Sequence, residues 1–462
     1  MRSRHAPSTA PGSAPLAPLD GLPAIAIAPE WKQQQRLWGH AFHPMCSYLA
    51  MFPAGLAHAF IARYTRPGDV VLDPFSGRGT TPLQACAEGR MGIGNDLNPF
   101  AHLLTAAKLD PPAWAELVAR LAVLRVRWST ESAVWLALGR EAVESADLQS
   151  VRVPTAGGRD GDAPLPVEVA LAFHPDTLGQ LLFVRRALDL DERTDRFLGA
   201  ALSGILHGKS QSYLTEVMPN TFSMAPRYVR DFVARTRFHS PQRDVFACLE
   251  MKLRRLYRQG LPPVRGIALL GDARDAGVRT LETLRRRSLP EGARLVVTSP
   301  PYLRVVRYGY YNWLRLWLLG FDPGAVDAAL DDDHRLDGYL AFLRDVFAGL
   351  RPGLADDAVV VAVIGDVEFD RGRRMNGGVG LAETVWEAAA APEGYRLAGV
   401  ARDDVAAHRK MTKIWGDEAG RATKTDRILV MATSEAGRRR ALVGSALPVD
   451  WTWPPRRPLR VV

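Results

Sequence analysis

The segment from Val70 to Thr81, VVLDPFSGRGTT, sets the strongest constraint on how this chain can fold. Its three leading aliphatic residues predict a buried parallel strand, and Gly77 and Gly79 predict a tight loop that opens a helix. A second apolar strand, MGIGND, follows and ends at Asp96 before another helical pattern. Strand, glycine loop, helix and strand make a βαβ unit, which is typical of a doubly wound α/β sheet.

Later segments extend this sheet. Short aliphatic strands that end in polar turns lie within residues 267–272, 293–302 and 358–367, and YRLAGVARDDV and DRILVMAT predict two closing strands. Between Pro111 and Pro263 the apolar residues follow a helical period, interrupted by a loop at 154–166. The expected fold is a Rossmann-like, doubly wound α/β sheet of about seven mostly parallel strands with an inserted, mainly helical domain.

These patterns divide the chain into five parts. A Pro- and Ala-rich leader, residues 1–35, is expected to be flexible, because its prolines interrupt the apolar stretch that a secretion signal needs. Residues 36–110 and 264–435 are expected to form the two halves of the sheet domain, and residues 111–263 the helical insertion, which is a candidate for target recognition. A basic tail, residues 436–462, would end the chain.

Composition restricts the class of protein. With 47% hydrophobic and 24% charged residues, the 462-residue chain is ordinary for a globular protein. Its longest aliphatic run, residues 358–364, is far shorter than the roughly 18 residues of a membrane helix. Three scattered cysteines suit neither a disulfide framework nor a CxxC metal site. We therefore expect a soluble, cytoplasmic protein that carries no metal and contacts no membrane.

Positive charge is concentrated in one stretch. Between Met251 and Arg315, one lysine and thirteen arginines accompany four acidic residues, a local net charge of +10 in a chain whose overall charge is +9. Such a stretch is a candidate surface for a polyanion, since arginine pairs with phosphate. Solvated helix faces are the alternative explanation.

The glycine loop and Asp96 suggest a bound ligand. Ligands of open parallel sheets lie at the carboxyl ends of the strands, where glycines let the backbone approach them. Asp96 is placed to accept hydrogen bonds from ribose hydroxyls, although ordinary loop glycines and an N-cap role for Asp96 remain alternatives. The loop lacks the lysine of a phosphate-binding loop, which disfavours a nucleoside triphosphatase.

The second motif is TSPPY, residues 298–302, directly after an apolar strand. Two consecutive prolines remove two amide donors and stiffen the turn, so the carbonyls of Ser299 and Pro300 can point outward. The Ser299 hydroxyl and the Pro300 carbonyl could hold the two N–H groups of a nucleobase amine, while Tyr302 stacks on a base swung out of a duplex. A loop-closing diproline is the alternative.

With both motifs present, DPFSGRGTT, GIGND, LLGD and TSPPY resemble the S-adenosylmethionine-dependent DNA amino-methyltransferases, which methylate N4 of cytosine or N6 of adenine. The resemblance covers about residues 42–109 and 267–432. It implies a methyltransferase sheet, S-adenosyl-L-methionine as the cofactor and DNA as the partner, with a cognate restriction endonuclease as a candidate second partner. Many members with this motif are circularly permuted and place the catalytic motif first, whereas this chain places the glycine loop first.

The resemblance also implies roles for individual residues. Phe52 and Pro53 would help to hold the methionine end of the cofactor, Asp96 its ribose and Asp272 its adenine. The glycine loop of the cofactor site would comprise Asp73, Pro74, Phe75, Gly77, Gly79, Thr80 and Thr81. The catalytic motif would comprise Ser299, Pro300, Pro301 and Tyr302.

Ser299 bears on the choice of base. Within the resembled family, serine at this position is the usual mark of cytosine N4 enzymes and aspartate that of adenine N6 enzymes, so cytosine N4 is favoured. Adenine N6, an RNA amino-methyltransferase and a non-catalytic DNA-binding protein remain alternatives. Methylation of a cytosine ring carbon needs a Pro-Cys turn, and this sequence contains no Pro-Cys pair.

After TSPPY, basic and aromatic residues alternate in LRVVRYGYYNWLRLWLLG. This mixture suits contacts to a nucleic-acid backbone and unpaired bases, with Arg304 and Arg307 as the candidates, whereas Trp313 and Trp317 fall at helical spacing and are expected in the core. In the insertion, Lys209 would contact either DNA or solvent.

Overall fold

The computed structural model describes residues 22–35, 37–48, 52–145, 147–157, 161–218, 224–290, 292–301, 307–330, 335–369, 373–374, 380–404 and 421–453. The strands are β1 (Val70–Asp73), β2 (Met91–Asp96), β3 (Arg152–Pro154), β4 (Asp162–Pro164), β5 (Ile267–Leu270), β6 (Ala293–Thr298), β7 (Leu354–Phe369), β8 (Arg373–Arg374), β9 (Arg396–Asp404) and β10 (Arg421–Ala432).

The first helices are α1 (Ala54–Tyr64), α2 (Thr80–Ala87), α3 (Pro99–Leu109), α4 (Trp114–Glu144), α5 (Val167–Ala172), α6 (Pro175–Ala187), α7 (Arg193–Ser203), α8 (Pro226–Thr236) and α9 (Val245–Leu256). The later helices are α10 (Ala276–Arg286), α11 (Tyr308–Tyr311), α12 (Trp313–Leu319), α13 (Pro323–Ala329), α14 (Leu336–Leu350), α15 (Leu381–Val385) and α16 (Glu435–Ser445).

The main sheet has the strand order β5-β2-β1-β6-β7-β10-β9. Strands β5, β2, β1, β6 and β7 are parallel to one another, and β10 runs antiparallel between β7 and β9. The two-residue β8 adds an antiparallel extension to β7. The chain therefore has the mostly parallel, doubly wound α/β fold that the sequence predicts.

Both faces of this sheet are buried, which explains its uninterrupted aliphatic strands. In β1, Val70 and Leu72 belong to one core and Val71 to another. Helices α10, α14 and α15 cover the first face, while α1 and α16 cover the second. A third core joins α2 and α3 to α12 and to α4–α9.

The segment between β2 and β5 is mostly helical, as the apolar period predicts, and contains α4–α9. It also contains an antiparallel hairpin of β3 and β4, so the loop expected at residues 154–166 includes a short strand. Val153 of β3 is fully buried. Val153 attaches the hairpin to the core of the helical segment, which the composition of the expected loop did not predict.

Part of the segment expected to be a flexible leader packs against the sheet. Ile25, Ile27 and Trp31 are buried, and Ala24 pairs with Val400 of β9. These apolar side chains cover one end of the second sheet face, where burial favours an ordered arrangement.

The segment expected to be a basic tail also contains packed structure. Ala441 of α16 is fully buried against the sheet. Farther along, the ring of Trp451 lies 4.9 Å from that of His58 in α1, and its indole N–H donates to Glu30 at 2.9 Å. The neighbourhoods of Glu30 and Trp451 are therefore in contact.

The cysteines are buried and unpaired, and burial raises the pKa of the Cys86 thiol to about 12. Within the described ranges, no three His, Cys, Asp or Glu side chains form a group that could hold a metal ion. None of the helices in those ranges has the length and apolar character needed to cross a bilayer.

Asp73 ends β1 and holds it to β6. Its Oδ1 atom accepts hydrogen bonds from the Thr298 hydroxyl at 2.7 Å and from the Phe75 amide at 3.1 Å. Nearby, the Thr81 hydroxyl of α2 donates to the Val297 carbonyl at 3.0 Å. Burial raises the pKa of Asp73 to about 7. These bonds join the two strands between which the strand order reverses.

We predict that Asp73→Asn stabilises the protein above neutral pH, because the amide oxygen can accept both bonds without a buried charge. The native carboxyl holds its proton more tightly than an unfolded one, whose pKa is 3.8, so the parent loses stability as the pH rises from about 4 through 7. Urea unfolding should show the variant more stable than the parent at pH 8, on the order of 2–4 kcal/mol, and nearly equal at pH 4.

The exposed Asp191→Asn change is the matched control for this experiment. A difference between Asp73→Asn and the parent that is the same at both pH values would contradict the prediction.

Candidate functional site

Four predicted site residues lie along one edge of the sheet. Asp272 follows β5, Asp96 ends β2, Asp73 ends β1 and Ser299 follows β6, and these strands are consecutive neighbours. With about 4.8 Å between adjacent strands, the row spans roughly 15 Å. Strands β2 and β6 lie on opposite sides of β1, so the strand order reverses at β1. Open α/β sheets bind ligands at the carboxyl ends of the strands beside such a reversal.

The loop after β1 requires its glycines. Gly77 and Gly79 have φ values of 50° and 74°, which side chains rarely tolerate. A Cβ on Gly79 would lie 2.8 Å from the Thr105 hydroxyl of α3, whereas one on Gly77 would meet only the Tyr48 ring at 3.6 Å. The loop therefore packs tightly on α3, as a close-approach glycine loop does.

Asp96 closes this loop onto β2. Its carboxylate accepts hydrogen bonds from the Gly77 amide at 2.7 Å and the Asn98 amide at 2.9 Å, and burial raises its pKa to about 6. The N-cap of α3 is Asn98, whose side chain accepts from the Phe100 amide, so the N-cap alternative for Asp96 is wrong. A carboxylate has about four acceptor positions, so Asp96 retains capacity for ribose hydroxyls.

Asp272 is more exposed and is paired with Arg274. The Arg274 Nη2 atom lies 2.6 Å from Asp272 Oδ2, and this hydrogen bond is the main cause that lowers the pKa of Asp272. The Arg274 guanidinium lies over the Phe342 ring at 5.6 Å, and that ring is 5.9 Å from the Phe75 ring. The acid expected at the adenine is therefore linked through Arg274 to a pair of aromatic rings.

The start of the TSPPY motif is held at the same edge. Thr298 is bound to Asp73, and the next residue, Ser299, is half-buried. None of the described groups forms a hydrogen bond with the Ser299 hydroxyl. Pro300 is buried and Pro301 is half-buried, while Tyr302 lies outside the described residues.

Phe52 and Pro53 immediately precede α1, and Phe52 packs against the core of the second sheet face. Sequence reasoning missed Tyr48, whose hydroxyl accepts a hydrogen bond from Asn98 at 3.1 Å. Its ring stacks on Tyr308 with centroids 5.8 Å apart, and burial raises its pKa well above the usual value. Tyr48 thus connects the glycine loop to the segment after TSPPY, a link that no local motif signals.

The candidate nucleic-acid residues differ in environment. Lys209 and Arg307 are both exposed. Arg307 also lies 3.6 Å from Asp327 and over the Tyr310 ring at 5.1 Å. Arg304 lies outside the described residues. Trp313 and Trp317 are buried, as their helical spacing predicts.

Some arginines of the basic stretch pair with acids elsewhere in the chain. Arg265 pairs with Asp110, and Arg294 lies within 3.6 Å of carboxylate oxygens on Asp69 and Asp357. Arg315 is buried and donates to Asn312. These contacts favour structural roles for Arg265, Arg294 and Arg315 over roles in a continuous polyanion surface.

This edge fits S-adenosylmethionine. Asp96 and Asp272 supply carboxylate oxygens that can accept hydrogen bonds from ribose hydroxyls and an adenine amino group. Phe75 and Phe342 supply apolar rings, which Arg274 links to Asp272.

Comparison with known proteins gives a family match. The DNA methylase family profile matches residues 25–107, a range that includes the glycine loop and Asp96. Among solved structures, TrmN from Thermus thermophilus gives a TM-score of 0.28 at 12% identity, covering 85% of this chain and 52% of that one. The rRNA methyltransferase aviRa from Streptomyces viridochromogenes gives 0.30 at 13%, covering 85% and 88%. Both similarities are weak, and the fold assignment rests on the strand order.

Curated relatives match short stretches of the chain. Type II methyltransferase M.MjaII of Methanocaldococcus jannaschii is 39% identical over 71 residues, and M.Cfr9I of Citrobacter freundii is 36% identical over 70, each spanning 15% of this chain. M.XycI of Xanthomonas campestris pv. cyanopsidis is 35% identical over 80 residues, or 17% of this chain. The chain covers 13%, 23% and 27% of these proteins' lengths, respectively. The profile match and these relatives show that part of the chain, including residues 25–107, is similar to DNA methylases and to Type II methyltransferases.

Proposed function

We propose that this protein is an S-adenosylmethionine-dependent DNA methyltransferase that methylates an exocyclic amino group, and that this group is N4 of cytosine. The observation that carries the proposal is the position of Ser299, directly after β6 and beside the glycine loop. The Thr298 to Asp73 hydrogen bond of 2.7 Å fixes this juxtaposition. The similarity of residues 25–107 to the DNA methylase profile and the cofactor fit of Asp96 and Asp272 support it.

In this proposal, Ser299 orients the amine. Its hydroxyl accepts one N–H of the target amino group, and the Pro300 carbonyl accepts the other, so the nitrogen lone pair faces the methyl group. The cofactor supplies that methyl group on a sulfonium centre. The two acceptors also stabilise the positive charge that develops on the nitrogen during transfer.

The order of these side chains along the sheet edge assigns each part of the cofactor, and the target base, to a strand end. Asp272 and Asp96, on the β5 and β2 side, would bind adenine and ribose, and the loop after β1 would face the methionine end. Ser299 would then meet the target base beyond β1. Tyr302 would stack on that base, extruded from the duplex.

The DNA-binding part of the proposal rests on exposed cations and the helical insertion. Arg307 immediately precedes α11, close after the catalytic motif, and Lys209 lies in the insertion. We propose that residues 111–263 carry the target-recognition contacts. Because the curated relatives are Type II methyltransferases, a cognate restriction endonuclease is proposed as a partner.

Product analysis tests the reaction and the base. DNA and RNA are incubated separately with purified protein and isotopically labelled S-adenosylmethionine, digested, and examined by mass spectrometry of the nucleosides. We expect labelled N4-methylcytosine from DNA. Labelled N6-methyladenine would contradict the cytosine assignment, label confined to RNA would contradict the DNA assignment, and cofactor binding without label would favour a non-catalytic DNA-binding protein.

Ser299→Ala tests the role of the hydroxyl. Losing an acceptor that acts in the transition state should lower kcat by about 10- to 1000-fold, while the Kd for S-adenosylmethionine stays within about twofold. Rapid-quench kinetics and calorimetric binding measure the two quantities. Ser150→Ala, at an exposed loop serine, is the control, and an unchanged kcat in Ser299→Ala would refute the assignment.

Arg307→Gln tests the phosphate contact. Removing one cation that neutralises a phosphate should weaken binding to all duplex sequences alike and reduce the slope of log K against log[salt] by about 0.9. Fluorescence anisotropy in a KCl series measures this slope. Arg286→Gln removes another exposed, ion-paired arginine, from α10, and should leave the slope unchanged. The same loss in both variants would show a general charge effect instead.

A further inference from the structure

Two buried polar side chains of α3 hold the glycine loop from behind. The Thr105 hydroxyl donates to the Gly77 carbonyl at 3.2 Å, and the Lys108 ammonium donates to the Arg78 carbonyl at 2.5 Å. Both side chains are fully buried. They lie three residues apart and therefore share one face of the helix.

Lys108 is costly for the fold, which makes a packing role alone a poor explanation. Burying an ammonium group destabilises a protein unless it is paired, and the described residues provide Lys108 with no ion-pair carboxylate. Burial and the nearby Arg78 charge lower the pKa of Lys108 well below its usual range. An apolar side chain would fill this position at less cost, but it could not bind the carbonyl.

The two carbonyl contacts fix how the loop faces the cleft. In a trans peptide, the carbonyl of one residue and the amide N–H of the next point in opposite directions. Because Thr105 draws the Gly77 carbonyl towards buried α3, the Arg78 amide N–H is directed to the opposite, solvent side of the loop. The Gly77 and Gly79 amides point elsewhere, to the Asp96 carboxylate and the Ser76 carbonyl.

We propose that Thr105 and Lys108 are positioning residues, which orient the glycine loop so that the Arg78 amide faces the methionine end of the cofactor. The inference rests on the proposed function. Along the sheet edge, Asp272 and Asp96 are assigned to the adenosine part, so the loop after β1 meets what lies beyond the ribose. The carboxylate there is an acceptor for an amide N–H.

Binding of two cofactor fragments tests the proposal without measuring turnover. S-adenosylhomocysteine keeps the amino-acid end, whereas 5′-methylthioadenosine lacks it. Lys108→Met should raise the calorimetric Kd for S-adenosylhomocysteine by about tenfold or more and leave that for 5′-methylthioadenosine within about twofold. Thr105→Val, which removes a hydroxyl with little change in shape, should show the same selectivity and serves as the second variant if Lys108→Met does not fold.

Lys252→Met is the matched control. Lys252 of α9 is also a buried lysine that donates to a main-chain carbonyl, that of Pro44 at 2.9 Å, but it does not touch the glycine loop. It should leave both affinities unchanged.

Equal weakening of both fragments in the α3 variants would show a merely structural role and overturn the inference, as would parent-like affinity for both. If the parent protein itself binds neither fragment, the proposed cofactor is wrong, which is a separate failure from that of the α3 positioning role.

Discussion

The buried hydrogen bond between Asp73 and Thr298 joins the two halves of this molecule. One half of the chain contributes β1, the glycine loop and β2, and the other contributes β6 and the residues that follow it. Everything proposed for the site depends on these halves meeting with the loop and Ser299 side by side. Burial raises the pKa of this carboxyl group to about 7, so its ionised form destabilises the fold. A buried group with such a shifted pKa is typical of a functional site, here the place where the two halves must keep their alignment.

The fold could be predicted well because parallel strands buried on both faces have a simple sequence signature. Val70–Leu72 and the aliphatic run within β7 identify themselves by composition alone. The packing of Ile25, Ile27 and Trp31 could not be predicted in this way, since their partners lie on β9 and α1, hundreds or tens of residues away. A proline-rich segment with a few apolar residues is compatible with either a flexible or a packed arrangement.

The site shows the same division. Gly77, Gly79 and Asp96 follow from local spacing, and in the structure the Gly77 amide donates a hydrogen bond to Asp96. Tyr48 and Lys108 were missed because their importance arises from where α3 and the segment before α1 lie in space, and neither residue belongs to a motif. The pairing of Arg265 and Arg294 could not be predicted for a related reason, since Asp110, Asp69 and Asp357 reach them only through the fold.

The contact between Trp451 and Glu30 bears on the order in which motifs occur along the chain. These residues are 421 positions apart in sequence but are hydrogen-bonded across one side of α1. A short linker that joins the segments around these two residues, together with new chain termini between the glycine loop and TSPPY, would reverse the order of the two motifs. Such a change would keep the pairing of the sheet strands. The two motif orders are therefore related by circular permutation, and both are compatible with the same sheet.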